Sequence, residues 1–179
     1  VDSDSHLLKE PLLKVSDDCD RQKLQDDLIE TMKNFKGLGL SANQIGTIER
    51  VFVMYTNFEK REATACFNPQ ITHFGTEQIF MDEGCLSYPG LWLRVKRPYN
   101  IFVTYENVEG ELIEEPMKDM EARIFQHEMD HMEGKDFTGH VSKLRMDMAR
   151  KRHQKQHRKN NEKMKNLMAT SGDVIRQTS

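Results

Sequence analysis

The sequence predicts an α+β fold, in which antiparallel β-sheets pack around a central helix carrying a His-Glu-x-x-His motif, with a further helix at the C-terminus. Three observations carry this. Short apolar or alternating segments recur between Val51 and Glu115, bounded by polar turns, as strands do. Apolar residues fall at helical spacing over 20–36, and a second helix fits between Asp119 and Gly134. No internal repeat and no linker divides this body, so the elements share one core.

Each element has a local reason. Leu24, Leu28, Met32 and Phe35 form one apolar face on the first helix, with acids and lysines between them. Asp18 or Asp20 can cap its start, and Gly37 can end it. The stretch Gly37 to Gln44 is too glycine-rich for a helix interior. Val51-Phe52-Val53-Met54-Tyr55 reads as a buried strand, and residues 57–62 as a polar connection. Further strands are expected near 64–67, 71–74, 77–81 and 92–96. Ile101, Val103 and Tyr105 share one face of a strand over 100–106; Asn107 to Gly110 turns the chain, and 111–115 returns as a hairpin partner. Asp119 can cap a helix running to about Glu133, with Gly134 as its stop. Val141, Leu144 and Met148 make a short apolar stripe on a last helix, and no sizeable apolar residue follows between Arg150 and Lys163.

Composition narrows the class. The 179 residues suit about one domain, long enough to bury a core without staples. No apolar run approaches the ~20 residues of a membrane helix. There is no basic-then-apolar leader, and a start at Val1 leads us to expect a processed or trimmed N-terminus. Cys19, Cys66 and Cys85 are too few and scattered for a disulfide framework, which leaves inert thiols or metal ligands. The net charge of −3 is uneven. Lys143 to Lys165 holds ten Lys or Arg against Asp147 and Glu162, a net +8, so the remainder carries −11. The expected organisation is therefore an acidic catalytic body over 1–142 and a basic C-terminal helix or tail over 143–179.

The strongest chemical feature is His127-Glu128-Met129-Asp130-His131. Residues four apart on a helix lie on one face, so both imidazoles can reach one metal ion. Glu128 follows the first ligand and can act as a base beside the metal. A catalytic metal needs a third ligand. Position 137 holds Phe rather than His, and Glu162, the one Glu past the helix stop, lies in the basic tail. Cys85, in Glu83-Gly84-Cys85-Leu86-Ser87, is the better candidate. One thiolate and two imidazoles leave a coordination position open, which argues for catalysis over a closed structural site. A metallopeptidase fits the helix motif alone; a non-catalytic metal module fits if Cys66 or His140 supplies a fourth ligand.

Three segments in order make the chain resemble the peptide deformylases. They are the glycine-rich loop Gly37 to Gln44, the Glu83-to-Ser87 segment, and Gln126 to Gly134 with its Gln-His-Glu-x-x-His helix. Phe67-Asn68-Pro69 and Arg97-Pro98 add to the likeness, which covers about residues 8–142. Ser41 stands where the family usually has Ala, Met132 where it usually has Leu, and residues 9–13 match loosely. The resemblance implies hydrolysis of the N-formyl group from formyl-methionine at the start of newly made polypeptides. It implies Cys85, His127 and His131 as metal ligands and Glu128 as the proton carrier. It implies that the Gln44 side chain and the Leu86 backbone N–H donate to the oxyanion. A substrate strand would pair with Leu38-Gly39 and with Gly84, beside which Ile124 would wall the methionine pocket, and Glu83 would pair with Arg97. Gly37, Gly39 and Gly84 would permit close backbone approach.

The family resemblance further implies Fe²⁺ as the working metal, with Zn²⁺ or another divalent ion able to occupy the site. Formyl-methionyl nascent chains are the expected partners, and the basic tail has three readings: a solvated charged helix or tail, a phosphate-directed contact on ribosomal RNA (it holds no aromatic residue for base stacking), or a contact on the acidic body. No membrane partner is expected, and nothing in the sequence sets an oligomeric state. The long tail and Ser41 lean towards a eukaryotic organellar form, plastid before mitochondrion; a bacterial form would be cytoplasmic.

Overall fold

The computed structural model describes residues 3–176. One compact unit ends at Val141 and a second begins at Ser142. The first opens with a 3-10 turn at His6–Leu8 and then helix α1, Arg21–Asn34. Of the two expected caps, Asp20 is the one used: its side chain accepts from Lys23 N at 3.0 Å. Replacing Asp20 with alanine should cost about 1 kcal/mol, read as a lower denaturant midpoint at unchanged m-value. Leu28 and Met32 of α1 are fully buried.

Gly37 does not end α1 as expected. Lys36 takes the left-handed φ of 57°. Gly37 is required for space instead: a Cβ there would stand 2.9 Å from Leu86 Cδ1 and 3.0 Å from Gly39 O. The glycine-rich loop then forms a short strand β1, Gly39–Ser41, and a 3-10 turn, Ala42–Ile45.

Strands β2 (Val51–Asn57), β3 (Glu62–Phe74), β6 (Asn100–Glu106) and β7 (Leu112–Lys118) join β1 in a five-stranded antiparallel sheet of order β1-β2-β3-β6-β7. Strands β4 (Gln78–Cys85) and β5 (Tyr88–Pro98) form a separate two-stranded antiparallel ladder. The two segments expected at 64–67 and 71–74 are one strand, β3. Pro69 cannot donate to a ladder, and Asn68 at φ 49° absorbs the break as a register shift between Phe67 and Gln70. Val51 to Tyr55 are all buried, because α1 and helix α2 (Asp119–Met132) both pack on β1 and β2. Phe52 meets Phe125 of α2 edge-to-face at 4.9 Å between ring centroids.

Asp119 does not cap α2. The cap position is Lys118, which makes no side-chain cap bond, and Asp119 itself sits at φ 54°. Its N–H is satisfied by Tyr99 O at 2.9 Å. The expected stop at Gly134 is right: it has φ 64°, and its N–H donates to His131 O. A strap of early residues covers this end of α2. Leu12 N donates to Met132 O at 2.9 Å, and a Cβ on Gly134 would meet Lys9 O at 2.7 Å.

After α2 the first unit closes with a 3-10 turn, Phe137–His140. The second unit is helix α3, Lys143–Arg176. Val141 precedes this helix rather than joining its stripe, and Leu144 and Met148 are exposed on it.

Candidate active site

Helix α2 presents His127 and His131 one turn apart, both buried, and β4 ends on Cys85 beside them. One ligand atom from each lies within 4.8 Å of the others. Cys85 Sγ stands 3.4 Å from His131 Nε2. A thiolate and an imidazole bound to one tetrahedral zinc-like ion would stand about 3.6 Å apart, from bond lengths of about 2.3 and 2.0–2.1 Å. The Cys85–His131 pair therefore already stands at a metal-binding separation, and His127 is close enough to complete the set. Cys66 and His140 are not part of this cluster. Cys66 is wholly buried in β3 opposite Phe52, and His140 Nε2 lies 2.8 Å from Asp130 Oδ2.

The cluster is oriented by charge from behind. Glu83 Oε2 lies 2.9 Å from His127 Nδ1, which leaves Nε2 for the metal side. The same carboxylate accepts from Arg97 Nε and Nη2 at 2.7 and 2.9 Å and from Arg123 Nη1 at 2.7 Å. Burial would raise the Glu83 carboxyl, but the bonds to His127 and Arg97 outweigh it and hold it well below its usual range. Arg97 Nη2 also donates to Asp130 at 2.7 Å. The Glu83–Arg97 pair was legible in the sequence; Arg123, one helical turn before His127, was not assigned a role there. Its position four residues before a ligand was the available signal.

Protonation follows from position. Burial holds His131 down to about 3, so its ring is neutral, as a metal-binding imidazole must be. Burial opposes charge on His127, yet its bonds to Cys85 and Glu83 outweigh burial and raise it to about 10. A point that favours a protonated imidazole favours a cation. Burial pushes the Glu128 carboxyl up to about 7. Among the described residues, Glu128 Oε2 and His131 Nδ1 are the fully buried side-chain polar atoms with no hydrogen-bond partner. An acceptor so placed is costly unless a proton-bearing group arrives.

The other expected residues gather around this centre. Gln44 Nε2 donates to Cys85 Sγ at 3.4 Å and to Ser87 Oγ at 3.1 Å. Gly39 leaves room for the base and the pocket wall: a Cβ there would meet Glu128 Oε1 at 2.6 Å and Ile124 Cγ2 at 2.8 Å. Leu38 is exposed, and its carbonyl accepts from Tyr55 N at 3.1 Å. Gly84 is small because the Trp92 ring lies over it, 3.2 Å from where a Cβ would stand. The Leu86 side chain packs on Gly37, apart from any role of its backbone. Ser87 and Asn43 had no assigned part in the sequence reading, and neither carried a local signal.

Comparison with known proteins agrees with this geometry. The family model for polypeptide deformylase matches residues 1–147. A peptide deformylase of Wolbachia pipientis from Culex pipiens is 40% identical over 144 residues, spanning 75% of this chain and 80% of its own. A crystal structure of peptide deformylase from Plasmodium falciparum superposes at TM-score 0.79 and 27% identity, covering 90% of this chain and 96% of that one. One from Legionella pneumophila gives TM-score 0.79 at 32% identity, covering 90% and 95%. A Cys-His-His cluster on this fold, matched by the family over most of the sequence, makes the chain a member of the polypeptide deformylase family.

Proposed function

We propose that Cys85, His127 and His131 hold one divalent metal and that Glu128 carries the proton in hydrolysis of the formyl amide. As a peptide deformylase, the protein removes the N-formyl group from nascent formyl-methionyl polypeptides and releases formate. The observation that carries the site assignment is the buried, unpartnered Glu128 Oε2 beside three converging ligands. A divalent metal in such a site lowers the pKa of water and polarises a carbonyl oxygen. Glu128 Oε2 takes the water proton and returns it to the leaving amine. Gln44 Nε2 and the Leu86 N–H donate to the oxygen on which charge develops. The substrate backbone adds between two sheet edges, since β1 and β4 each end a sheet. Leu38, Gly39 and Gly84 supply that edge, and Ile124 walls the methionine side chain.

Ferrous iron is the proposed working metal, with zinc or another divalent ion able to occupy the same three ligands. Metal analysis of anaerobically prepared protein tests this, and a more active zinc form overturns it. The reaction is tested by comparing formyl-Met-Ala with acetyl-Met-Ala. Formate release from the first and no cleavage of the second is expected; scission of the Met–Ala bond would sink the reading in favour of a peptidase.

The basic helix α3 is proposed to dock on ribosomal RNA through phosphates. Ten Lys or Arg between Lys143 and Lys165 support it. Deleting 150–179 should leave turnover of short formyl peptides within about twofold and abolish salt-sensitive co-sedimentation with ribosomes. Retained co-sedimentation, or a large loss of turnover, would overturn it.

A further inference from the structure

Ser41 is the one polar departure from the usual glycine-rich loop, and it is buried completely, as is Asn43. A glutamine amide has two orientations of similar shape and opposite chemistry. If Gln44 were flipped, its oxygen would face Ser87 and the Cys85 sulfur, where a donor is needed. Three contacts set the observed orientation. Gln44 Oε1 accepts from Ser41 N at 3.0 Å. A backbone N–H can only donate, so the oxygen must face it. Ser41 Oγ stands 3.0 Å from the same oxygen and 2.8 Å from Asn43 Oδ1, and it accepts from the Gln44 backbone.

Asn43 is itself fixed. Its Nδ2 donates to Leu7 O and to His131 O, each at 3.2 Å, which turns its oxygen towards Ser41. The single hydroxyl proton of Ser41 is therefore shared between two carbonyl-type oxygens, Gln44 Oε1 and Asn43 Oδ1, and each donation is made at the expense of the other. With Ala at 41, the backbone N–H would stay and the hydroxyl's contact with the amide oxygen would be lost. We propose that Ser41, through its backbone N–H and its hydroxyl, is a positioning residue that fixes the Gln44 amide so that Nε2 faces the reacting centre. This rests on the reading of Gln44 as an oxyanion donor.

The test uses the metal-loaded full chain. Ser41→Ala should lower kcat for formyl-Met-Ala by about threefold to tenfold, the worth of one buried hydrogen bond, with KM within about twofold. In a Gln44→Leu background the same substitution should leave kcat within about twofold, because the two residues act as one unit. Equal losses in both backgrounds mark a merely structural role and overturn the proposal. So does an unchanged kcat in Ser41→Ala when Gln44→Leu alone is strongly impaired. Should Gln44→Leu itself leave kcat unchanged, the oxyanion reading falls, and the catalytic part of this proposal with it. The orientation is judged apart from activity, by nitrogen-15 NMR of the Gln44 side-chain amide. In Ser41→Ala the two amide protons should exchange faster with solvent and their shifts should move towards those of an unconstrained glutamine, and unchanged signals overturn the proposal. Ser41→Cys keeps the volume with a weaker donor and should act in the same direction if the alanine variant does not fold.

Discussion

Glu128→Gln lowers kcat for formyl-Met-Ala by about 10²–10⁴-fold, the usual worth of a positioned acid–base group, and leaves the bound metal at its wild-type ratio. Glutamine matches glutamate in volume, so the space beside Gly39 and Ile124 is unchanged. It has no oxygen that can take a proton at neutral pH. Burial disfavours the charged form of Glu128, pushing its carboxyl up to about 7. The neutral variant removes that penalty and should melt no lower than the parent, a trade between activity and stability common at such sites. Metal analysis and thermal unfolding beside the kinetics check all three points. Loss of metal, or a kcat within about tenfold of the parent, would remove Glu128 from its assigned part.

Glu83→Ala carries the largest expected loss of stability, about 3–5 kcal/mol. Arg97 and Arg123 are each 4% exposed and share this carboxylate, and His127 holds its other oxygen. Removing it strands buried positive charge. It also frees the ring of His127 to rotate, so metal affinity should fall about 10–100-fold. Chemical denaturation reads the first effect and competition with a chelator the second. Glu83→Gln retains one acceptor oxygen and should lose less on both scales. Equal midpoints for Glu83→Ala and the parent would mean that the cations find other partners.

The sequence exposed those parts of the molecule whose physics is local. Helix α1 and strand β6 repeat their apolar residues at fixed spacing, and both formed where that spacing put them. The candidate ligands stood out in the sequence because metal chemistry admits few side chains, and the structure brings Cys85, His127 and His131 together. The strand β1 was not legible: three residues of Gly-Leu-Ser are extended only because Val53 and its neighbours pair with them. The Asn68-Pro69 step read as a break, although a bulge carries β3 across it. Asp119 looked like a cap, yet the tight passage from β7 into α2 puts its backbone in the left-handed region. Arg123 escaped because an arginine on a helix is ordinarily solvated, and its partner lies 40 residues away. Ser41 and Asn43 owe their part to packing, which leaves no mark on a single sequence.

The strap over the end of α2 has a consequence for how the chain comes to be active. Polypeptides are made from the N-terminus, and elements fold as they emerge. Leu7, Lys9 and Leu12 are therefore outside the ribosome long before His131 and Met132 are added. The helix that brings both imidazoles is made well after this partner, and its final carbonyls meet donors that precede them in the chain. The surroundings of His131 are thus completed by residues made well before it. A bulky fusion placed just ahead of Leu7 should accordingly be felt at His131 and in metal uptake, far from where it is attached in sequence.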